Sequence, residues 1–346
     1  MRIGQNPSKM RGSPAYSPKR VGLATLTYVP ALEGYFREAR EVISVHLASL
    51  RASLDQECNI CFFDNGSCPE IIAYLEEQRR NGLIDWLCLS NHNMGKNGAL
   101  NWIFASMPNE FIGFADYDVF FRKGWLERTL EIFETFEYAG MVSAQPVFFD
   151  FLRGEGKTAN AIQETDGLSI EMVRPRQEIV DEYCDGINAS DEMRTQFRQT
   201  RLQVAINQAR ATRAVTSATD MQFMLSKEVA RKLVPLPIAG ALTAKDAIDI
   251  PRRIEALGYW ILSTEEPLVR HMGNSILGRN IPEIEAYLSP KDFQGKAQNP
   301  AAPKPGGLKG SIRIYLQKLL DRSLALRKVV TRIYDGLFSL LYEERR

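Results

Sequence analysis

The sequence predicts an α/β protein, a mostly parallel sheet flanked by helices, with an inserted helical segment and a C-terminal helical tail. Three observations carry that expectation. Short apolar runs alternate with stretches of helical period through the first half of the chain, and polar clusters stand at the ends of the apolar runs. The chain has 346 residues, 45% of them hydrophobic, enough for one large core or two closely packed ones.

Val21 to Tyr28 (VGLATLTY) is an apolar, β-branched run ended by Pro30, which suits a buried strand. From Glu33 to Leu54, Val42, Val45, Leu47, Leu50 and Leu54 recur near helical spacing. Asn59 to Phe63 (NICFF) reads as a second strand, closed by the turn residues Asp64-Asn65-Gly66-Ser67. A helix over Pro69 to Asn81, a strand over Ile84 to Leu89 and a helix over Gly98 to Ser106 follow. Phe111 to Ala115 (FIGFA) is a fourth strand that ends at Asp116. In parallel sheets of this order, ligands sit beyond the carboxyl ends of the strands, where the polar clusters fall here.

The remainder is less regular. Residues 153–213 are highly charged and read as a mostly helical insertion, either a cover for the cleft or a solvated hairpin. Strand character returns at Thr219 to Leu225 and at Trp260 to Ser263. The expected organisation is a flexible basic N-terminus (1–20), a main domain (21–280), a Pro- and Gly-rich linker (281–310) and an amphipathic helix (311–346). That last helix mixes Leu316, Leu320 and Leu324 with Arg313, Lys318 and Arg322. Such a helix suits peripheral contact with an anionic membrane, oligomerisation, or packing on its own chain.

Formal net charge is +1, so no global field calls for nucleic acid. No apolar stretch approaches about 18 residues, and the first twenty lack the apolar core of a secretory signal. The five cysteines lack disulfide or zinc spacing and read as reduced structural thiols, which suggests a cytoplasmic protein, peripheral to a membrane face if the tail docks there.

The centre of the functional reading is Asp116-Tyr117-Asp118. Carboxylates at i and i+2 share one side of an extended chain, roughly 6.5 Å apart. Placed just past a buried strand they can serve one hard divalent cation, which neutralises the charge that grows on a leaving nucleotide diphosphate. Alone the pattern is weak, because solvated turns produce it often.

Around it the sequence resembles the GT-A type glycosyltransferases, Rossmann-like α/β proteins, and family 2 among them. Four segments match in order: Asp64-Asn65-Gly66-Ser67; Asn93, Gly95, Ala99 and Asn101 within NMGKNGALN; Asp116-Tyr117-Asp118 with Gly124-Trp125-Leu126; and His271-Met272-Gly273-Asn274-Ser275. The resemblance implies a nucleotide-diphosphate-sugar donor, bound by Thr27, Asp64, Asn93, Lys96, Asn101 and Asp116. It implies a glycan or lipid-linked acceptor and Mn2+ or Mg2+ held by Asp118 and His271, with Asp116 on ribose or a metal-bound water. An imidazole ligand favours manganese somewhat over magnesium.

An inverting transfer also needs a base. The family places it in an acidic segment before an Arg and a Gly-Tyr; here that stretch reads Lys245-Asp246-Ala247-Ile248-Asp249, followed by Arg252 and by Gly258-Tyr259. Counting back from Arg252 selects Asp246, whereas counting back from Gly258 puts Asp249 in the second acidic slot and Ala247 at the base; Lys245 replaces the expected Glu. Asp246 is preferred because it opens the helical pattern, where the dipole helps tune a carboxylate. Two N-cap acids are the plain alternative. The rival functions are a nucleotidyltransferase, which needs a basic Gly-rich loop that TYVPALEG does not offer, and a binding protein on a degenerate transferase fold.

Overall fold

The computed structural model describes residues 16–148, 156–238, 244–277 and 281–288, with the backbone alone at 244–249. The chain divides into two units, Met1–Leu288 and Ser289–Arg346. The second unit, and with it the expected helix at 311–346, lies outside the described residues.

Four strands form first in sequence: β1 (Val21–Thr27), β2 (Cys58–Asp64), β3 (Trp86–Leu89) and β4 (Phe111–Asp116). Every residue of β1 and β2 is buried. Their side chains alternate between two cores, which is why these runs are apolar throughout. Leu23, Ile60 and Phe62 face one core, while Ala24, Leu26, Cys61 and Phe63 face the other. The helices α1 (Ala39–Ser53), α2 (Pro69–Arg80) and α3 (Gly95–Ser106) connect them, α1 and α2 over the first core and α3 over the second. The parallel registers run Val21 opposite Cys58 and Val21 opposite Phe111, so β1, β2 and β4 finish at one level.

The chain continues through β5 (Val119–Phe121), α4 (Trp125–Thr135) and β6 (Ala139–Ser143), then α5 (Lys157–Gln163), β7 (Leu168–Val173), α6 (Gln177–Gly186) and α7 (Asp191–Gln199). After these come β8 (Leu202–Asn207), β9 (Thr212–Val215), β10 (Gln222–Ser226), α8 (Lys227–Leu233), α9 (Ala244–Ala256), β11 (Trp260–Ser263), β12 (Val269–His271) and α10 (Pro282–Glu285). Among the described residues ten strands make one sheet in the order β3-β2-β1-β4-β10-β6-β11-β9-β8-β7, and β12 pairs with β5 in a separate two-stranded sheet. β10 runs antiparallel to both β4 and β6.

Three expectations change. The insertion carries the expected helices α5, α6 and α7, but also β7, β8 and β9, which extend the sheet antiparallel. Their alternation was hidden by charge, because β7 lies at the sheet edge and keeps Glu171 and Met172 exposed. The linker does not begin at 281: Ile284 is buried with Val42, Val45, Phe120 and Met272, and the Tyr287 ring meets Phe120 edge-on at 5.5 Å. Finally, 16–20 is pinned, with the Lys19 main-chain N–H donating to Asn59 at 3.0 Å and Arg20 paired with Glu134. No helix among the described residues is long and apolar enough to cross a membrane.

One buried polar contact ties α1 to the strand after the acidic pair. His46 has no exposed surface, and its Nδ1 lies 2.7 Å from the Val119 carbonyl, its Nε2 2.8 Å from the Thr25 hydroxyl. A carbonyl only accepts, so Nδ1 carries the hydrogen and Nε2 receives the threonine proton; the ring is neutral. Burial pushes its pKa down from 6.5 to about 4. A lowered folded pKa gives stability that is present above 6.5 and lost as pH falls through about 4. At about 1.36 kcal/mol per unit the loss is on the order of 3 kcal/mol. Urea denaturation across pH 6.5 to 4 is expected to show this slope in the wild type and a shallower one in His46→Gln, which is less stable at neutral pH. Equal slopes would dismiss His46 as the acid-labile contact.

Candidate functional site

The acidic pair lies where the registers place it, at the carboxyl ends of β1, β2 and β4. Asp64 closes β2 with no exposed surface. Its Oδ2 accepts the Thr27 hydroxyl at 2.9 Å, and its Oδ1 accepts the main-chain N–H of Gly66 at 3.1 Å and Ser67 at 2.9 Å. The turn expected at Asp64-Asn65-Gly66-Ser67 is therefore an Asx-turn, and the Thr27 hydroxyl at the end of β1 bonds to it. Gly66 has φ +92°, and a Cβ there would stand 3.2 Å from the Asn93 nitrogen, so the turn takes glycine on both counts. Asn65 then fixes the next loop, donating to Asn93 Oδ1 at 2.9 Å and accepting the Met94 N–H at 2.9 Å. Asn93 Oδ1 also receives the Gly95 N–H at 2.9 Å.

That loop delivers Lys96 in the first turn of α3. A cation at a helix N-terminus is disfavoured by the dipole, and two acids offset this. The Lys96 ammonium donates to Asp116 Oδ2 at 2.9 Å and to the Asp220 carbonyl at 2.9 Å, with the Asp220 carboxylate at 3.7 Å. Burial works against the charged ammonium, but Asp116 and Asp220 outweigh it and hold its pKa above the usual lysine value. For Asp116, burial dominates and pushes the carboxyl up to about 6, against the pull of Lys96. The Asp116 side chain keeps 31% of its surface, so water still limits that upward push.

Asp118 differs. Its Oδ2 stands 3.2 Å from His271 Nε2, while its Oδ1 is buried with no hydrogen-bond partner among the described residues. The two residues, distant in sequence, meet because β12 pairs antiparallel with β5, His271 opposite Val119. The Met272 N–H then donates to the Asp118 carbonyl at 2.7 Å. His271 Nδ1 lies 2.7 Å from the Gly186 carbonyl and so carries a hydrogen, turning Nε2 toward Asp118. Burial lowers the imidazole pKa, but Asp118 and the Gly186 carbonyl raise it overall to about 9. Burial alone would raise the Asp118 carboxyl; His271 holds it below the ordinary aspartate value.

Other expected residues have different neighbours. Asn101 uses both ends of its amide on the main chain of Leu236, at 2.9 and 2.6 Å, and Asn97 donates to the Pro237 carbonyl at 2.9 Å. Together they clamp the chain ahead of α9 from one face of α3. Asp246 and Asp249 both fall on α9, and their side chains lie outside the described residues. Trp125 of the Gly-Trp-Leu stretch is fully buried, donates to Ser53 Oγ at 3.1 Å and packs on Phe121, so it belongs to the core. Ser275 donates to Glu38, which also accepts the N–H groups of Ile276 and Leu277. Asp220, Gly186 and Glu38 escape sequence reasoning. Asp220 alone left a signal, as an acid at the start of a strand whose antiparallel direction brings it beside Asp116.

A cavity of about 600 Å³ lined by Cys61, Trp86, Cys88, Trp102, Met107 and Pro108 lies toward the amino ends of β3 and β4, away from these groups. Among the described residues no group of three or more His, Cys, Asp and Glu is placed to hold a metal ion. A site completed by the oxygens of a bound diphosphate needs fewer protein ligands. The orphaned Asp118 Oδ1 beside the Nε2 of a histidine whose ring the Gly186 carbonyl orients fits such a site.

Residues 35–187 match the model of glycosyl transferase family 2, and the fold is the α/β architecture expected of the GT-A type. Among solved structures, a mannosyltransferase from Pyrobaculum calidifontis in complex with GDP-Man and Mn2+ is 14% identical, with a TM-score of 0.47 over 92% of this chain and 84% of that one. TarS 1-349 of S. aureus is 13% identical, with a TM-score of 0.38 over 72% of this chain and 58% of that one. The same TarS fragment in complex with UDP is 12% identical, with a TM-score of 0.39 and the same coverage. No curated protein matches the chain.

The paired charges make a direct prediction. In Lys96→Met the Asp116 carboxyl loses the cation that opposes desolvation, and its pKa is expected to climb from about 6 by about 1–3 units. A carboxyl-carbon NMR titration reads the shift; an unchanged midpoint would remove Lys96 as the partner that keeps Asp116 ionised.

Proposed function

We propose that this chain is an inverting, divalent-metal-dependent glycosyltransferase that moves a sugar from a UDP- or GDP-sugar to the hydroxyl of a glycan or lipid-linked acceptor. The observation that carries the reading is the buried Oδ1 of Asp118, partnerless among the described residues, beside His271 at the carboxyl ends of the parallel strands β1, β2 and β4. An orphaned buried carboxylate oxygen costs stability unless a ligand completes it, so its persistence points to a cation. Mn2+ or Mg2+ bound there supplies neutralisation of the charge on the departing diphosphate. Asp118 and His271 would hold it.

The other residues act on the substrates. Thr27 and Asp64 hold the turn against which the nucleoside lies, and Asn93 fixes the loop that carries Lys96. Asp116, kept ionised at neutral pH by Lys96, accepts from a ribose hydroxyl. A carboxylate on α9 takes the acceptor proton as the acceptor oxygen bonds to the anomeric carbon. The bond from that carbon to the diphosphate oxygen breaks, and the oxygen leaves with the electron pair. Asp246, in the first turn of α9, is the better placed of the two acids because the helix dipole favours its ionised form.

Thermal unfolding with UDP, GDP and their sugars, with and without Mn2+, tests the reading. The cognate nucleotide at about 100 times its Kd stabilises by about 2.7 kcal/mol. That shift should require Mn2+ and should vanish in Asp118→Ala. If no nucleotide stabilises the wild type, or stabilisation ignores Mn2+, the metal-dependent reading fails.

The base has its own test. Asp246→Asn is expected to cut kcat at least about a hundredfold with donor affinity near wild type, because a carboxamide keeps the shape but takes no proton. Asp249→Asn should cost much less. The opposite ranking assigns the base to Asp249, and mild losses in both rule out a base on α9.

A further inference from the structure

We infer that Gly186 is a positioning residue for the cation site: its main-chain carbonyl, offered by the inserted segment, orients His271 toward Asp118 and thereby sets metal affinity. This rests on the metal reading above.

Gly186 is the last residue of α6. Carbonyls in the final turn of a helix have no partner within it and carry the negative end of the dipole, so they suit an imidazole N–H. The Gly186 carbonyl accepts the His271 Nδ1 hydrogen at 2.7 Å. That bond leaves Nε2 as the nitrogen beside Asp118, the side from which a cation would be held.

Only a residue without a side chain lets α6 come this close. A Cβ on Gly186 would stand 2.8 Å from the His271 carbonyl oxygen and 3.1 Å from its Cβ. Neither atom can retreat easily, because His271 is paired with Val119 across the β5–β12 ladder.

The helix is held against withdrawal from the same ladder. Glu182, one turn before Gly186, receives both terminal nitrogens of Arg122 at 2.8 Å, and Arg270 stands 3.7 Å away. Arg122 follows β5 and Arg270 lies in β12, so both strands that bring Asp118 and His271 together also grip α6. Glu283 of α10 completes the cluster, with Arg122 at 2.6 Å and Arg270 at 3.1 Å. Two guanidinium groups face two carboxylates, and each of the four side chains is at most 32% exposed. The charges balance and the geometry is bidentate, the arrangement that fixes position best. The insertion is therefore part of the cation site, although none of its residues would be a ligand.

Mn2+ binding to the full chain in the presence of UDP or GDP, followed by electron paramagnetic resonance, tests this in a double-mutant cycle. Gly186→Ala is expected to weaken Mn2+ about 10- to 100-fold, and to cost nothing further in a His271→Ala background, because the effect travels through the ring. Glu182→Gln keeps size while loosening the clamp, and should weaken Mn2+ severalfold with the same dependence on His271. It carries the test should Gly186→Ala lose its fold by circular dichroism. Wild-type Mn2+ affinity retained within twofold in the folded variants, or losses that add fully to His271→Ala, would overturn the positioning role. Absence of Mn2+ binding in the wild type, or binding indifferent to Asp118→Ala, would instead remove the metal reading and this inference with it.

Discussion

Burial of Asp118 beside His271 is the contact to which the rest of the site is fitted. A desolvated carboxylate is unfavourable unless a cation or hydrogen bonds compensate. Here one oxygen has the imidazole at 3.2 Å and the other has no partner among the described residues. That arrangement needs two strands held side by side, and β5 and β12 are gripped from several directions. His46 reaches the Val119 carbonyl from α1, Met272 bonds the Asp118 carbonyl, and Glu38 gathers the N–H groups of Ile276 and Leu277.

Asp116 and Asp118 have the same side chain two residues apart, yet opposite electrostatic fates. The Asp116 carboxyl is pushed up to about 6 because burial outweighs Lys96, while His271 holds Asp118 below its ordinary value. Their partners come from different parts of the fold, α3 for one and β12 for the other. A pair of acids separated in this way can take separate roles, one on the cation and one on the sugar of the nucleoside.

The insertion changes meaning once its contacts are seen. As sequence it is a charged stretch with few apolar residues. In the structure its strands widen the sheet, Tyr183, Cys184 and Phe197 build a satellite core with Phe148, and its helix α6 ends on His271. Its charge is partly structural, since Glu182 lies in the cluster with Arg122, Arg270 and Glu283, and Arg213 bridges Glu171 and Glu265.

What the sequence determined by itself was local. The two-sided apolar runs of β1, β2 and β4 declare buried parallel strands, and Asp64-Asn65-Gly66-Ser67 declares a turn, because side-chain alternation and turn chemistry are properties of neighbouring residues. The acidic pair at the end of β4 was legible for the same reason. Only the tertiary structure decided the partners. Lys96 meets Asp220 because β10 runs antiparallel to β4, a direction that strand residues do not encode. Asn101 serves Leu236 because α3 lies against the chain leading to α9, and Gly186 serves His271 because a helix end abuts a ladder. Hydrogen bonds and ion pairs act over about 3–4 Å, so contacts between residues far apart in sequence exist only once the fold has brought them within reach.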